Sequence, residues 1–312
     1  MNKNKLPIIS IIGPTSIGKS NLAIELYKKY PVEIISVDSV MIFRDMNIGT
    51  AKPNNEVLKS IKHHLINIKN PDDNYNVGDF YKDVCKLINS IHSNERIPLL
   101  VGGTLMYFNQ LYNGLNQLPE TSMIDRKFIN NVSDIYGWEK LHACLKNIDY
   151  KTYQKINKAD KQRIQRALEV YLMTGKPISS FFVKSTHLSE DFNLTTLKMM
   201  CNDRSKLHKN IEERTKMMFQ NGFIDEVISI RNKYPVTSDS QSMKSIGYKQ
   251  VMSFINNEID EKELFEQTIF ATRQLAKRQI TWIKKFSDGM EIDLENQTLH
   301  HLFDMIDKSL HF

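Results

Sequence analysis

The amino-acid sequence predicts an α/β fold: a mostly parallel sheet flanked by helices, interrupted by an all-helical insertion. Up to about residue 117, short apolar runs of strand length alternate with segments of helical periodicity. Two such runs and one helix fall within about thirty residues, which makes a βαβ unit and hence a parallel sheet. From about residue 118 to 195 the apolar runs stop, and the sequence becomes helical and polar. We therefore divide the chain into a core, 1–117 with 196–312, and an insertion, 118–195.

The composition is that of a globular protein with a modest positive charge. Apolar residues make up 41% of the 312 residues, and the formal net charge is +6, which permits a polyanionic partner without requiring one. No apolar run approaches the roughly 18–20 residues of a membrane span. Cys85, Cys144 and Cys201 lie far apart, which argues against a disulfide scaffold or a zinc module and favours a reducing compartment. We expect a cytoplasmic monomer that is not bound to a membrane.

A phosphate-binding loop follows the first strand. Pro7–Ile12 predicts a buried strand, Asn21–Tyr30 has helical spacing, and the segment between them fits G-x-x-x-x-G-K-[ST]. This context favours a P-loop NTPase-like core over a chance glycine turn. Backbone N–H groups, the helix N-terminus and the lysine would bind a diphosphate or triphosphate, and the serine hydroxyl would hold Mg²⁺. The predicted loop residues are Gly13, Pro14, Thr15, Ser16, Ile17, Gly18, Lys19 and the metal ligand Ser20.

Two further polar side chains follow later strands. Asp38 comes directly after the apolar run 32–37, and Thr104 follows the run 97–101 and two glycines. Because ligands bind at the carboxyl ends of parallel strands, both side chains are expected near the phosphate-binding loop. From its position alone, Asp38 is either a structural or Mg²⁺-holding carboxylate or a catalytic group. Thr104 is expected to be a helix N-cap, a role that is compatible with contacting a ligand.

The third helix predicted in the insertion, over 160–173, is amphipathic. Its basic face carries Gln162, Arg163 and Arg166, and its apolar face carries Ile164, Leu168, Tyr171 and Leu172. A charged helix face is often merely solvated, so this pattern alone leaves both solvation and nucleic-acid contact open.

A long basic helix is predicted near the end of the chain, over 265–286. No acidic residue occurs between Glu266 and Asp288, and the basic side chains fall within one arc of the helix. A solvated helix normally mixes both charge signs, so an unopposed basic stripe favours contact with nucleic-acid phosphates over simple solvation. The stripe consists of Arg273, Lys277, Arg278, Thr281, Lys284 and Lys285.

Six stretches, in this order, resemble the IPP transferase family, the bacterial tRNA dimethylallyltransferases. They are 13–20, 35–39, 48–53, 97–104, 166–170 and 271–282. Many nucleotide enzymes share the first stretch, but the ordered set that ends in the basic helix is highly specific. The resemblance runs from the phosphate-binding loop to about residue 286.

The resemblance implies a transferase that moves a dimethylallyl group from dimethylallyl diphosphate to N6 of adenosine 37, in the anticodon stem-loop of tRNA. The loop would then hold the leaving diphosphate instead of a nucleotide, and Lys19 and Mg²⁺ would stabilise the developing charge. Asp38 would be the base that takes the N6 proton, and Thr104 would contact the junction of diphosphate and substrate. The adenine must leave the anticodon-loop stack to reach these groups.

The resemblance also assigns tRNA contacts to six parts of the chain. The residues are Asp38, Ser39, Val40, Met41, Thr104, Arg126, Gln162, Arg163, Ile164, Gln165, Arg166, Lys244, Ser245, Ile246, Gly247, Tyr248, Lys249, Arg273, Lys277, Arg278, Gln279, Ile280, Thr281, Trp282, Ile283 and Lys284. The chain departs from the family at Phe43, where a tyrosine hydroxyl is frequent, and at Lys244, where the bidentate fork of arginine is expected. Ile17 and Ser20 also differ but keep the loop pattern.

Three other functions share part of this pattern. A P-loop small-molecule kinase would share the loop, the sheet and Mg²⁺, but would not need the basic helix. An isopentenyltransferase that acts on free adenine nucleotides would share the chemistry but should lack a long tRNA-binding surface. A non-catalytic RNA-binding protein would have little use for the loop lysine with Asp38 nearby.

Overall fold

The computed structural model describes residues 5–116, 118–120, 123–182, 191–293 and 297–310, and the chain forms two compact units. One unit combines Met1–Tyr112 with Leu188–Phe312, and the other is Asn113–His187. Within the described residues, the first unit holds a six-stranded parallel sheet with flanking helices, and the second is helical. The predicted fold class is thereby confirmed.

The strands of the sheet are β1 (Leu6–Ile12), β2 (Val32–Val37), β3 (His63–His64), β4 (Ile97–Gly102), β5 (Phe192–Met199) and β6 (Met290–Ile292). Their order is β3-β2-β4-β1-β5-β6, and every neighbouring pair is parallel. The carboxyl ends of β1, β2 and β4 therefore meet at one edge of the sheet, where an open parallel sheet binds its ligands.

Helices surround this sheet and build the second unit. In the first unit they are α1 (Lys19–Lys29), α2 (Asn55–Ser60), α3 (Val77–Ser93), α4 (Leu105–Asn113, which ends at the boundary), and, after the second unit, α9 (Arg204–Gln220), α10 (Phe223–Lys233), α11 (Tyr248–Ile255), α12 (Glu261–Ile283) and α13 (Leu299–Leu310). In the second unit they are α5 (Met123–Tyr136), α6 (Trp138–Ile148), α7 (Tyr150–Lys155) and α8 (Lys161–Thr174), followed by a 3₁₀ turn at Ile178–Phe181.

The sheet is covered on both faces. Along β1, Ile8 and Ile12 belong to one buried layer, whereas Ile9 and Ile11 belong to the other. All four side chains are fully buried, which explains why β1 is a nearly continuous apolar run, interrupted by Ser10, instead of an alternating one. Among the described residues, no helix combines the length and the apolar character needed to cross a membrane.

The sheet extends further toward the insertion than the sequence indicates. β5 begins at Phe192, and its first residues pair with Leu6–Ile9 of β1, so 192–195 belong to the core and not to the insertion. The first three residues of β5 are only half-buried. For that reason they do not form the apolar run by which a buried strand is recognised.

The second unit packs around its own apolar cluster, which includes Ile129, Leu145, Ile164 and Val170. The amphipathic helix predicted over 160–173 is confirmed as α8, which begins after the N-cap Asp160. Its apolar face is shorter than predicted, because the packed face ends at Val170 and the last turn is exposed. Tyr171 and Leu172, which were predicted on the apolar face, are exposed at 36% and 49%.

Candidate active site at the carboxyl edge of the sheet

The phosphate-binding loop joins β1 directly to α1. Gly18 has φ 98°, in the left-handed region that glycine tolerates, and Ser16 also has a positive φ of 61°. A Cβ atom on Gly13 would lie 3.0 Å from the Cβ of Met199 on β5. The loop therefore curls tightly against the neighbouring strand, as a backbone that must surround a phosphate requires.

The amine of Lys19 points back into its own loop. It donates hydrogen bonds to the carbonyl oxygens of Gly13 at 3.0 Å and Pro14 at 2.7 Å. Burial, followed by the positive charge of Arg214, lowers the pKa of Lys19 to about 7, although the charge of Asp38 opposes this shift. Removing a lysine from water and placing it beside another cation both disfavour its charged form. An anionic ligand next to the amine would therefore favour its charged form.

Arg214 is a second cation beside the phosphate-binding loop, and none of the sequence motifs includes it. From α9 its Nη1 donates to the hydroxyl of Thr15 at 3.0 Å, and its Nη2 donates to the carbonyl of Thr50 at 3.4 Å. Burial also lowers the pKa of its guanidinium. One sequence signal could have found it, since Arg214 interrupts the apolar helical stripe that contains Leu207 and Ile211.

Asp38 lies at the carboxyl end of β2, in a turn that fixes one of its oxygens. Its Oδ1 accepts hydrogen bonds from the backbone N–H groups of Val40 at 2.8 Å and Met41 at 3.1 Å. The hydroxyl of Thr104 accepts a hydrogen bond from the N–H of Ser39 at 3.1 Å. Thr104 therefore supports the Asp38 turn, and its hydroxyl bonds across to the next strand end in addition to preceding α4.

Gln279 of α12 connects the ends of β1 and β4. Its Oε1 accepts a hydrogen bond from the N–H of Thr15 at 2.8 Å, and its Nε2 donates to the carbonyl of Gly103 at 2.9 Å. The side chain is buried. The resemblance assigned Gln279 to tRNA contact, but its amide is used to hold the phosphate-binding loop against the glycine turn.

These groups line one cavity of about 570 Å³ in the first unit. Its walls include Thr15, Lys19, Ser20, Asp38, Thr50 and Arg214. A cavity of this size is typical of small-molecule sites. It brings the cationic side chains of Lys19 and Arg214 and the carboxylate of Asp38 to the walls of one space.

The oxygen donors at this site suit Mg²⁺. Ser20 is exposed, and its hydroxyl has no hydrogen-bond partner within the described residues. Among those residues there is no group of three His, Cys, Asp or Glu side chains that could hold a metal by itself. Mg²⁺ commonly binds through one or two protein oxygens and the phosphates of a substrate, so Ser20, with Asp38 nearby, fits an ion that arrives with a diphosphate.

The predicted basic stripe of α12 is only partly unopposed. Lys277, Arg278, Thr281 and Lys284 are exposed. Arg273, in contrast, pairs with Glu212 of α9 at 3.0 Å, so an acid from another helix opposes the charge. Ile283 is buried, Ile280 packs against Leu207 and Ile211 of α9, and Trp282 is half-buried. A continuous range such as 277–284 therefore overstates the number of side chains that a partner could contact, because a helix exposes only part of each turn.

The predicted contacts in the second unit divide in the same way. Gln162 and Arg163 are exposed, whereas Ile164 is fully buried. Arg126 and Arg166 both pair with Glu169, at 2.7 Å and 3.3 Å. The Gln165 amide donates to Asn130 at 2.8 Å. The two arginines therefore share one carboxylate, which is fully buried and compensates only one of their two positive charges.

The segment 244–249 contributes to the cavity wall. Lys244 is exposed, lines the cavity and pairs with Asp239 at 3.1 Å. Ser245 and Ile246 are half-buried, Gly247 is buried, and Lys249 is exposed. Tyr248 is fully buried, which leaves no surface of its ring for a base.

Two of the residues that depart from the family pattern, Ile17 and Phe43, lie in apolar surroundings. Ile17 packs against Leu207, Ile211 and Ala276, so the larger side chain fills the space between the loop and the two helices. Phe43 is almost fully buried, where a phenyl ring needs no hydrogen-bond partner.

The fold and the site together define a P-loop α/β protein whose cavity joins a phosphate cradle to a carboxylate. The family model described as IPP transferase matches residues 41–286. The chain belongs to the IPP transferase family, which confirms the resemblance seen in the sequence.

Curated relatives match nearly the whole chain. A tRNA dimethylallyltransferase of Coxiella burnetii is 42% identical over 299 residues, and the match covers 96% of each protein. One from Nitrosomonas europaea is 41% identical over 301 residues, covering 96% of this chain and 95% of the relative. One from Legionella pneumophila is 42% identical and covers 94% and 93%.

Solved structures share the fold. The tRNA isopentenylpyrophosphate transferase of Bacillus halodurans superposes with a TM-score of 0.70 at 30% identity, covering 99% of this chain and 97% of that one. A eukaryotic dimethylallyltransferase superposes with a TM-score of 0.80, covering 97% and 80%. Its identity of 24% supports the fold alone.

Proposed function

We propose that this chain transfers a dimethylallyl group from dimethylallyl diphosphate to N6 of adenosine 37 in the anticodon stem-loop of tRNA. The observation that carries the proposal is the single cavity in which the phosphate-binding loop, Lys19 and Arg214 share walls with Asp38. The names of the relatives, tRNA dimethylallyltransferases, support the same reaction. In the reaction the C1–O bond of the donor breaks, its electron pair leaves with diphosphate, and a C1–N6 bond forms.

The loop end of the cavity would bind the diphosphate. The Lys19 amine, which now donates to two carbonyl oxygens of its own loop, would turn to the phosphate oxygens. Arg214 and the loop N–H groups would bind the remaining oxygens. Preorganised donors of this kind stabilise the charge that develops on a leaving group. When bound, Mg²⁺ would supply further positive charge, held by Ser20 and the phosphate oxygens.

Asp38 would accept the proton that N6 loses. Its Oδ1 is held by two backbone N–H groups, so the carboxylate cannot rotate freely. Within the described residues, Oδ2 has no hydrogen bond, and Asp38 lines the cavity. A base that is fixed in this way can contact the substrate amine through Oδ2, and Thr104 supports the turn that fixes it.

The exposed cations Lys277 and Arg278 of α12, and Lys284 at its C-cap, would bind RNA phosphates, with Arg163 of the second unit as a further contact. Single-stranded loop RNA is commonly bound with its bases splayed out, which the reaction also requires. The proposal includes a monomer that acts in the cytoplasm. Size-exclusion chromatography with light scattering, with and without tRNA, tests the monomer.

The test of the function is incubation with labelled dimethylallyl diphosphate, Mg²⁺ and either unmodified tRNA or ATP. We expect label in tRNA, at adenosine 37 after nuclease digestion, and none in the nucleotide. Label in ATP alone would indicate a transferase for free nucleotides. Phosphate transfer without prenyl transfer would indicate a kinase.

The role of Asp38 is tested by Asp38→Asn, with Asp72→Asn at an exposed position as the matched control. Loss of the base should lower turnover by about 10²–10⁴-fold, while binding of tRNA and of inorganic pyrophosphate stays within a few-fold of wild type. The control should keep full turnover. Near-normal turnover in Asp38→Asn would remove this residue from the role of base.

A further inference from the structure

One carboxylate organises the loop that forms a wall of the cavity. Residues 47–51 connect Met46 to Lys52, and Gly49, Thr50 and Ala51 line the cavity. The carboxylate is Glu226 on α10. Its Oε2 accepts hydrogen bonds from the N–H groups of Asn47 at 2.8 Å and Ile48 at 2.7 Å. Its Oε1 accepts one from Gly49 at 3.2 Å. Three consecutive amides thus converge on one side chain.

Tyr248 completes this arrangement from the other side. Its hydroxyl donates to Oε1 of Glu226 at 2.7 Å, and burial raises the pKa of the phenol well above its usual value, so it remains a donor. Its ring packs edge-on against Phe223, with centroids 5.0 Å apart. A Cβ atom on Gly49 would lie 2.2 Å from the Phe223 ring and 2.5 Å from the Tyr248 ring. Only a glycine can bring its N–H this close to the carboxylate.

The loop held by Glu226 is in turn hydrogen-bonded to Arg214, the cation that we propose binds the diphosphate. The carbonyl of Thr50 accepts from Nη2 of Arg214 at 3.4 Å, and Nη1 of the same guanidinium donates to Thr15 at 3.0 Å. Ala51, the next residue, has a left-handed φ of 51°. A non-glycine residue adopts that conformation only where its surroundings impose it.

We propose that Glu226 is a positioning residue for diphosphate binding: by holding amides 47–49 it places the Thr50 carbonyl and, through it, the guanidinium of Arg214. This inference rests on the proposed function, because it assumes that Arg214 binds the diphosphate. Glu226 itself does not line the cavity, so a ligand bound there would not touch it. Its effect passes entirely through the loop.

The test compares Glu226→Gln with Asp225→Asn. Both remove one negative charge from the first turn of α10, but only glutamine at 226 turns an amide NH₂ toward backbone N–H donors. Asp225 is exposed, so its variant controls for the loss of charge at the helix N-terminus. Two quantities are measured: hydrogen exchange of the 46–53 peptide, and the Kd of inorganic pyrophosphate with Mg²⁺ at a temperature where circular dichroism indicates full folding.

We expect Glu226→Gln to speed exchange of the loop amides and to weaken pyrophosphate binding by about tenfold each, since an unsatisfied donor is costly. Asp225→Asn should match wild type within about twofold. Unchanged pyrophosphate affinity in a folded Glu226→Gln would overturn the proposal even if the loop exchanges faster, because the carboxylate would then only stabilise the fold. Equal effects in both variants would also overturn it.

A milder variant keeps the test decisive if Glu226→Gln does not fold. Tyr248→Phe removes one hydrogen bond to the carboxylate and retains the ring packing. It should weaken pyrophosphate binding by about threefold, and wild-type affinity in this variant would count against the proposal. Failure of the wild-type protein to bind pyrophosphate would instead contradict the proposed function, so the two failures are distinguishable.

Discussion

Binding of a diphosphate should be accompanied by proton uptake at Lys19. In the free protein, burial and then the charge of Arg214 lower the pKa of this amine to about 7. A bound diphosphate places several negative charges against the amine, and nearby opposite charge raises the pKa of a lysine. The complex therefore holds the proton at pH values where the free protein has released it.

The magnitude follows from the free-state pKa. At pH 8, one unit above a pKa of about 7, roughly nine in ten free molecules carry a neutral amine, so binding takes up about 0.9 proton. Affinity falls as pH rises through the free pKa, because the bound state binds the proton more tightly. Between pH 6 and pH 8 the Kd should rise by about tenfold, and the loss should end at the bound-state pKa.

Calorimetry with inorganic pyrophosphate and Mg²⁺ measures this proton directly when it is repeated in two buffers of different ionisation heat. The matched variant is Lys19→Arg, since arginine stays charged over the whole range. Titration of the ligand is common to both proteins and cancels in their difference. Equal uptake by wild type and Lys19→Arg at pH 8 would refute the reasoning, because the lysine would then already be charged in the free protein.

Three further predictions test the fold and the RNA surface. Gly102→Ala should lower the free energy of unfolding by at least about 3 kcal/mol in urea, because its Cβ would lie 2.0 Å from a carbonyl oxygen of β2. At Gly137 a Cβ atom would meet open space, but φ is 80°, so Gly137→Ala should lower the free energy of unfolding by only about 1 kcal/mol. Equal losses in the two variants would rule out the close approach as the cause. Glu169→Gln should lower the free energy of unfolding by about 2–3 kcal/mol in the same urea measurement, because its two arginine partners lose a shared, buried carboxylate. An unchanged midpoint would mean that both guanidiniums turn to solvent. Lys277→Ala should lower the slope of log binding constant against log salt for tRNA by about one. Lys262→Ala, in the first turn of the same helix, should leave that slope unchanged, and a slope equal to wild type in both variants would leave the stripe as a solvated face.

Most of the fold could be predicted from contiguous residues. The strand over 7–12 and the helix over 160–173 are observed within one residue at each end, because a buried apolar run and helical periodicity are properties of neighbouring positions. The start of β5 was not predicted, because Phe192 and Asn193 are only half-buried and are extended through their pairing with β1. Strand pairing across the chain leaves little local signal.

The side chains that hold the loops of the candidate site in place were much less predictable from the sequence. Gln279, Arg214 and Glu226 hold loops that lie 264, 199 and 177 positions away in the chain. In the sequence each reads as an ordinary polar residue on a helix. Their roles depend on how α9, α10 and α12 pack on the sheet edge, and side-chain reach across such contacts is not encoded in local spacing.

The sequence alone determined the parallel α/β core, the phosphate-binding loop and the family, because strand burial, glycine conformation and motif spacing are written in consecutive residues. Only the tertiary structure decided which charged side chains lie together at the site and which are paired with an opposite charge. It brought Arg214 to the loop beside Lys19 and lowered the pKa of that amine. It also opposed Arg273 with an acid of another helix. The physical reason is that the behaviour of a charge depends on the water removed from it and on the charges packed around it, and both are settled by distant parts of the chain.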